Sequence, residues 1–160
     1  MGPGKLGREI GKRRPFGDPR EEALLNLLRT HDQVQIRLTR LFRDFGLTPS
    51  QYNVLRILRG EGTPLPILEI ASRTVTVVPG ITGLIDRLER AGLVRRERCS
   101  EDRRVIHVAL TEGGTDLLGR LDRPLADLQS RVLAHMTVAE LKTLSRLLEK
   151  VRESAAGDPS

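Results

Sequence analysis

Residues 73–111 of this chain read RTVTVVPGITGLIDRLERAGLVRRERCSEDRRVIHVALT, and this stretch decides the fold. From Pro79 onward, apolar residues recur every three or four positions, which predicts an amphipathic helix over 79–91 with one face in a core. The inward residues of that helix are predicted to be Ile81, Leu84, Ile85 and Leu88. Gly92 stands where a left-handed glycine commonly ends a helix, so the chain is expected to turn there.

Two short strands are predicted after this helix, over residues 93–99 and 105–110. The inward residues of the second strand are predicted to be Ile106, Val108 and Leu110. The polar segment SEDRR at 100–104 joins the strands as a turn. A helix followed by a basic hairpin is typical of a winged helix-turn-helix. The helix of such a fold suits a DNA major groove, and the arginines of the hairpin suit the adjacent minor groove.

The composition limits the class of protein. A chain of 160 residues can bury one core, and its single cysteine excludes an internal disulfide framework. The net charge of +6 and the pI of about 10.4 favour a polyanionic partner. Arginine outnumbers lysine 23 to 4, which fits either recognition of phosphate and guanine or GC-rich codon usage. One Tyr, three Phe and no Trp argue against the base stacking on which readers of single-stranded nucleic acid depend.

The N-terminal residues lack the apolar core of a signal peptide. No apolar run elsewhere approaches the roughly 20 residues that a membrane helix needs. We therefore expect a cytoplasmic, nucleoid-associated protein with no membrane partner.

Three kinds of region are expected within one compact domain. Residues 1–17 are glycine-rich and basic, and they predict an arm that is flexible or that becomes ordered on a partner. The arm either binds the minor groove or phosphates of DNA, or is a soluble tail or a strap at the dimer edge. Residues 18–46 and 112–155 predict a helical dimerisation region, and residues 47–111 predict the winged helix-turn-helix. The expected fold class is mainly α with a small β-hairpin wing.

The helix boundaries follow from capping signals, because Asp18, Thr48 and Thr137 each precede a Glu or Gln by three residues. The predicted helices are 19–45, 49–58, 66–73, 79–91 and 138–153, with a further long helix after Thr111 that Pro124 should kink or split. The N- and C-terminal helices carry more leucine than one winged domain can cover. That excess predicts a two-fold homodimer.

Three segments resemble the MarR family in order and spacing. Asp102-Arg103-Arg104, followed after five residues by Leu110-Thr111, is similar to the wing signature of that family. The other two segments are Gly46–Tyr52 and Leu84–Glu89, the latter continuing through Gly92-Leu93-Val94. The resemblance spans roughly residues 20–153 and implies a regulator of transcription that binds double-stranded DNA.

The wing is the first DNA-binding site that the resemblance implies. Arg104 is the main candidate for the minor groove, with Arg103 beside it and Asp102 holding the turn through backbone hydrogen bonds. Arg96 and Arg98 either contact phosphates or only solubilise the strands.

The recognition helix and the turn before it are the second implied site. Its positions correspond here to Thr76, Val77, Val78, Pro79, Gly80, Thr82 and Gly83, and Arg87 further along the helix is an additional candidate donor. Few of these residues donate hydrogen bonds, so apolar contact of Val78 or Pro79 with thymine methyl groups is expected to contribute. The alternative to DNA contact for Val77 and Val78 is that they form a hydrophobic staple, which would hold the turn in place.

The resemblance also implies a small aromatic or anionic effector, for which the candidate pocket residues are His31, Arg37, Phe42 and Tyr52. The histidines and the single Cys99 lack metal-ligand spacing, and no catalytic or nucleotide-binding motif is present. We therefore expect no metal, no cofactor and no enzyme activity, and we expect Cys99 to be an inert thiol.

These observations predict a homodimeric, sequence-specific regulator, a repressor of a pseudo-palindromic operator that a small ligand relieves. Two alternatives remain open on the sequence. One is an architectural protein that binds DNA without sequence preference, and the other is a winged-helix module that binds a different protein.

Overall fold

The computed structural model describes residues 4–98 and 105–156, and within these ranges the chain forms seven helices and one three-stranded sheet. The elements in chain order are α1 (Lys5–Glu9), α2 (Pro19–Asp44), α3 (Pro49–Glu61), β1 (Leu65–Pro66), α4 (Ile67–Ser72), α5 (Ile81–Arg90), β2 (Val94–Arg98), β3 (Ile106–Leu110), α6 (Glu112–Val132) and α7 (Val138–Ala156). The predicted fold class, mainly α with a small β wing, is confirmed. The chain divides into two compact units, Met1–Pro124 and Leu125–Ser160.

The predicted starts of α2, α3 and α7 are confirmed, and each has a side-chain cap. The Oδ1 atom of Asp18 accepts a hydrogen bond from the backbone N–H of Arg20 at 2.8 Å at the start of α2. Thr48 and Gln51 form a reciprocal capping box at the start of α3, with N···O distances of 3.2 and 2.9 Å. Such caps satisfy backbone donors that the first turn of a helix leaves unpaired.

Three helix boundaries differ from the sequence prediction by two residues or more, and one of them is the end of α7, which extends to Ala156. α3 continues through Gly60 to Glu61, and the left-handed Gly62 ends it. α5 begins at Ile81 instead of Pro79, because Gly80 adopts φ +67° and ψ +40°. A right-handed helix cannot continue through that conformation, so Pro79 and Gly80 lie in the turn before the recognition helix.

The wing pairs its strands in the order β1-β3-β2, all antiparallel. The register of β2 on β3 runs from Val94 opposite Leu110 to Arg98 opposite Ile106, and β1 reaches only as far as His107. Val108 is fully buried as predicted, but Ile106 is exposed. Its exposure follows from its place at the end of the hairpin that β1 does not cover.

The core of the first unit is built from the faces of α3, α4, α5, α6 and the sheet. Its fully buried side chains are Val54, Leu55, Leu58, Ile70, Ile85, Leu88, Val94, Val108, Leu118 and Leu121. Gly114, near the start of α6, packs so closely on the segment before β2 that a Cβ atom would collide with a backbone carbonyl oxygen. Pro124 lies within α6 without ending it.

The N-terminal segment, for which the sequence predicts an arm that is flexible or becomes ordered on a partner, forms the short helix α1 and makes ion pairs with α2. Leu6 is buried, and Arg29 Nε donates to Glu9 Oε2 at 2.9 Å. Lys12 Nζ lies 3.6 Å from Glu21 Oε1. The acidic residues near these basic ones hold the segment in place, which the count of positive charges alone did not indicate.

The described residues contain no helix that is both long and apolar enough to cross a membrane.

Candidate nucleic-acid interface

The recognition helix α5 is fixed to the core by one apolar face. Leu84, Ile85 and Leu88 are buried, whereas Thr82 and Arg87 on the remaining surface are exposed. Gly80 begins the helix without a side-chain cap, so the first backbone N–H groups of α5 have no side-chain partner at that position. Unpaired N–H groups at a helix N-terminus are donors that suit a phosphate.

The structure places the recognition residues named from the sequence on one continuous turn-and-helix segment, residues 76–87. Its exposed members are Thr76, Pro79, Gly80, Thr82 and Arg87, and its half-buried members are Val78 and Gly83. Val77, for which the sequence left packing or DNA contact open, is almost wholly exposed.

The turn between α4 and α5 is held from behind by Arg73 and Thr74. Arg73 Nη1 donates to Glu61 Oε2 at 2.6 Å, and its Nη2 atom pairs with Glu69. The hydrogen bond to Glu61 raises the pKa of Arg73 above its ordinary value. Thr74 Oγ1 donates to the carbonyl oxygen of Ala71 at 2.8 Å. These contacts set the direction in which the chain enters α5.

Arg96 joins the wing to the recognition helix, a role that the sequence analysis missed. Its Nη2 atom lies 2.6 Å from Asp86 Oδ1 and its Nη1 atom 2.5 Å from Glu89 Oε2. The backbone N–H of Arg96 also donates to Glu89 Oε1 at 3.0 Å. Burial alone would lower the pKa of Arg96, but the hydrogen bonds to Asp86 and Glu89 outweigh it and raise the pKa. We call these three residues the helix–wing clamp.

A sequence signal for the helix–wing clamp exists in retrospect. Asp86 and Glu89 are three positions apart and therefore share one side of a helix. Arg96 follows in the next strand, on the same face as the buried Val94. This pattern places two carboxylates of the helix near an arginine on the inward face of the neighbouring strand. It therefore indicates an ion-pair bridge between helix and strand as an alternative to a phosphate contact.

The remaining wing residues divide by strand face. Arg95, on the opposite face from Arg96, pairs with Glu97 at 2.6 Å. Arg98 is exposed and makes no ion pair with the residues described. Asp102, Arg103 and Arg104, the predicted minor-groove residues, lie outside the described residues, as does Cys99.

The candidate effector residues are divided between a packed pair and an open surface. The rings of Phe42 and Tyr52 stack with centroids 4.4 Å apart and an interplanar angle of 18°. His31 and Arg37 are exposed on α2. One chain by itself therefore brings Phe42 and Tyr52 together but leaves the other two outside any enclosed site.

Charged groups surround the stacked pair. Burial raises the pKa of the Tyr52 hydroxyl, and the positive charges of Arg59 and Arg56 partly oppose that rise. Arg59 binds Asp122 with two hydrogen bonds of 2.9 Å. Next to Tyr52 in the chain, the buried Asn53 has a side-chain oxygen without a partner among the described residues.

A cavity of about 350 Å³ lies beyond Arg59, at the end of α3. Its lining residues include Arg59, Thr63, Arg95 and Thr115, none of which belongs to the predicted effector set. No group of three His, Cys, Asp or Glu side chains within 4–98 and 105–156 could hold a metal ion.

A helix-turn-helix with an outward recognition helix, clamped to a basic hairpin, defines a DNA-binding protein of the winged-helix class. The profile of the MarR family matches residues 47–106. The homoprotocatechuate degradative operon repressor of Escherichia coli is 27% identical over 124 residues, which cover 78% of this chain and 83% of that protein.

Solved structures agree with these sequence matches. A MarR transcription factor from Planctomyces limnophilus is 42% identical with a TM-score of 0.65, covering 84% of this chain and 98% of that one. AbsC, a MarR family transcriptional regulator from Streptomyces coelicolor, is 26% identical with a TM-score of 0.80, covering 91% and 99%.

This chain belongs to the MarR family, and it is a transcriptional regulator. The relatives named above are regulators of transcription. The two alternative functions that the sequence left open are not favoured.

Proposed function

We propose that the protein is a homodimeric repressor that binds a pseudo-palindromic operator with α5 in the major groove and the wing in the minor groove. The helix–wing clamp carries this proposal. Because Arg96 ties the wing strand to Asp86 and Glu89 of α5, the two reading elements are presented to the duplex as one rigid surface.

Exposed apolar side chains support the homodimer in each unit separately. In the first unit, Leu24, Leu28 and Ile36 of α2 are each more than half exposed. In the second unit, the exposed apolar residues of α7 are Val138, Leu144, Leu147 and Val151. A second copy of the chain is the simplest partner that removes this surface from water.

Selection of genomic fragments by the purified protein, with its mass measured in solution, tests this function. We expect a dimer mass and an enriched inverted repeat whose half-site centres are about 10 bp apart, one turn of the duplex. Fragments without a shared motif, bound no more tightly than scrambled duplex at physiological salt, would refute sequence-specific regulation.

We assign the minor-groove contact of this proposal to Arg104, supported by Arg103 and Asp102, with Arg98 near the phosphates. A guanidinium is attracted to the negative potential of a narrow A·T-rich minor groove. Arg104→Ala is therefore expected to weaken binding most on operators with A·T-rich flanks. Equal affinities of the two proteins on A·T-rich and G·C-rich flanks would contradict the assignment.

We further propose that a small aromatic or anionic effector relieves repression by binding near the Phe42–Tyr52 pair. The aromatic surface and the charges of Arg56 and Arg59 near Tyr52 support this location. A second protomer is needed to enclose it, because His31 and Arg37 are exposed in one chain.

Homoprotocatechuate is the first probe for this site, since the Escherichia coli relative is named as repressor of its degradation. We expect it to raise the melting temperature and to weaken operator binding, with acetate as the control anion. Tyr52→Ala should abolish both effects. An equal response to acetate, or an unchanged response of Tyr52→Ala, would contradict the site.

A further inference from the structure

The most exposed large aliphatic side chains of the described residues all lie in the helix-turn-helix. Val77 is 93% exposed, Leu68 83% and Val75 77%, whereas the leucines proposed for the dimer face of α2 are 56% exposed. Exposing aliphatic side chains to water is unfavourable by about 25 cal/mol per Å². An apolar contact that covers such a side chain is therefore favourable, and Val77 is the most exposed of the three.

The side chain of Val77 does not stabilise the turn in which it lies. A hydrophobic staple would place Val77 against the first turns of α5, and its exposure excludes that arrangement. The turn is fixed instead by the ion pairs of Arg73 and the hydrogen bond of Thr74. The side chain is thus free to make a contact outside the protein.

The surface beside Val77 is poor in groups that read bases by hydrogen bonding. Gly80 and Gly83 contribute no side chain. The exposed side-chain donors of α5 are Thr82, Arg87 and, at the last position of the helix, Arg90. A Cβ atom at Gly80 would meet nothing within 4 Å, and one at Gly83 would meet only Arg87 Nη1 at 4.0 Å. A duplex can therefore approach the backbone closely here.

The apolar feature that a major groove offers to such a surface is the C5-methyl group of thymine. We propose that Val77 specifies thymine in each operator half-site by packing against this methyl group. The proposal rests on the operator binding described above and deepens it. Val75 is the matched control, because it is also exposed but lies two residues further from α5 along the chain.

The test replaces thymine by deoxyuridine, one position at a time, in the operator obtained by genomic selection. Deoxyuridine lacks only the methyl group, so the minor groove and the Watson–Crick pairing are preserved. Binding of the wild-type protein is expected to weaken about fourfold when the thymine of one half-site is replaced, as about 0.8 kcal/mol per buried methyl predicts. Replacing the symmetrical thymine of the other half-site as well should weaken it about 15-fold in total.

A double-mutant cycle then connects the methyl group to the side chain. Val77→Ala should bind the thymine operator about as weakly as the wild type binds the deoxyuridine operator, and it should lose no further affinity on deoxyuridine. Val75→Ala should retain the full response to methyl removal. Circular dichroism melting of both variants should match the wild type, because neither side chain is buried.

The outcomes separate this inference from the proposed function. An enriched operator whose binding is indifferent to every deoxyuridine substitution overturns the role of Val77 and leaves the regulator function intact. A methyl response that persists unchanged in Val77→Ala also overturns it. Absence of any specific operator overturns both.

Discussion

Replacing Arg96 by alanine is expected to weaken the link between the recognition helix and the wing without removing a phosphate contact. The change deletes two charge-assisted hydrogen bonds, to Asp86 and to Glu89, and leaves those carboxylates without their shared partner. Because the wing strand is then less firmly held on α5, both stability and operator affinity should fall.

The structure sets the size of the effect on stability. The Arg96 side chain is 23% exposed, but Asp86 and Glu89 are 44% and 38% exposed. Solvent screening at the carboxylates limits each ion pair to about 1 kcal/mol. The two together predict a loss of about 2 kcal/mol, or about 6 °C in melting temperature for a chain of this size.

The dependence of DNA affinity on salt separates a clamp from a phosphate contact. Fluorescence anisotropy is measured at KCl concentrations from about 50 to about 200 mM, a range over which counterion release changes DNA affinity strongly. It gives the slope of the logarithm of the binding constant against the logarithm of the salt concentration. A phosphate-binding arginine lowers that slope by about one per subunit when it is removed. Arg96→Ala should lower the melting temperature and the affinity but preserve the slope.

Arg98→Ala is the matched control on the same strand face, because Arg98 is exposed and unpaired within the described part of the chain. Its removal should preserve the melting temperature and reduce the slope. The reasoning on the clamp is refuted if Arg96→Ala melts like the wild type and reduces the slope by about one.

Three further predictions concern packing and titration. Gly114→Ala should destabilise the fold by about 1–3 kcal/mol, because its methyl group would collide with the carbonyl oxygen before β2, while the unobstructed Gly119→Ala should stabilise α6 by about 0.5–1 kcal/mol in urea denaturation. Tyr52 is the sole tyrosine and there is no tryptophan, so absorbance at 295 nm should show its pKa above the ordinary value of about 10. Its contribution to stability should be present below pH 10 and lost as the pH rises through the raised pKa, and a midpoint equal to that of the protein unfolded in guanidinium would contradict this. Glu140 has a lowered pKa because Thr137 donates to it from its backbone N–H and its hydroxyl, so its contribution to α7 should be lost as the pH falls through that lowered pKa. Thr137→Ala should return the pKa part of the way towards its ordinary value in an NMR titration, and an unchanged pKa would argue against the hydroxyl bond.

Much of the fold follows from local rules that the sequence displays. The caps of α2, α3 and α7 need only residues two or three positions apart, and the predicted starts at Pro19, Pro49 and Val138 agree with the structure. The apolar spacing of α5 and the pairing of β2 with β3 likewise depend on neighbours in the chain. Where local preference and burial favour the same conformation, a sequence pattern is enough.

The sequence by itself determined the winged helix-turn-helix and the position of the segment proposed to face DNA, since helical periodicity and turn residues act over a few positions. The tertiary structure decided what individual side chains do, because their partners come from distant segments. It directed Arg96 to Asp86 and Glu89, folded the basic N-terminal residues back as α1 and left Val77 uncovered. An arginine or a valine is the same residue in the sequence whether its side chain contacts a carboxylate, the core or water. Only the folded chain distinguishes these surroundings.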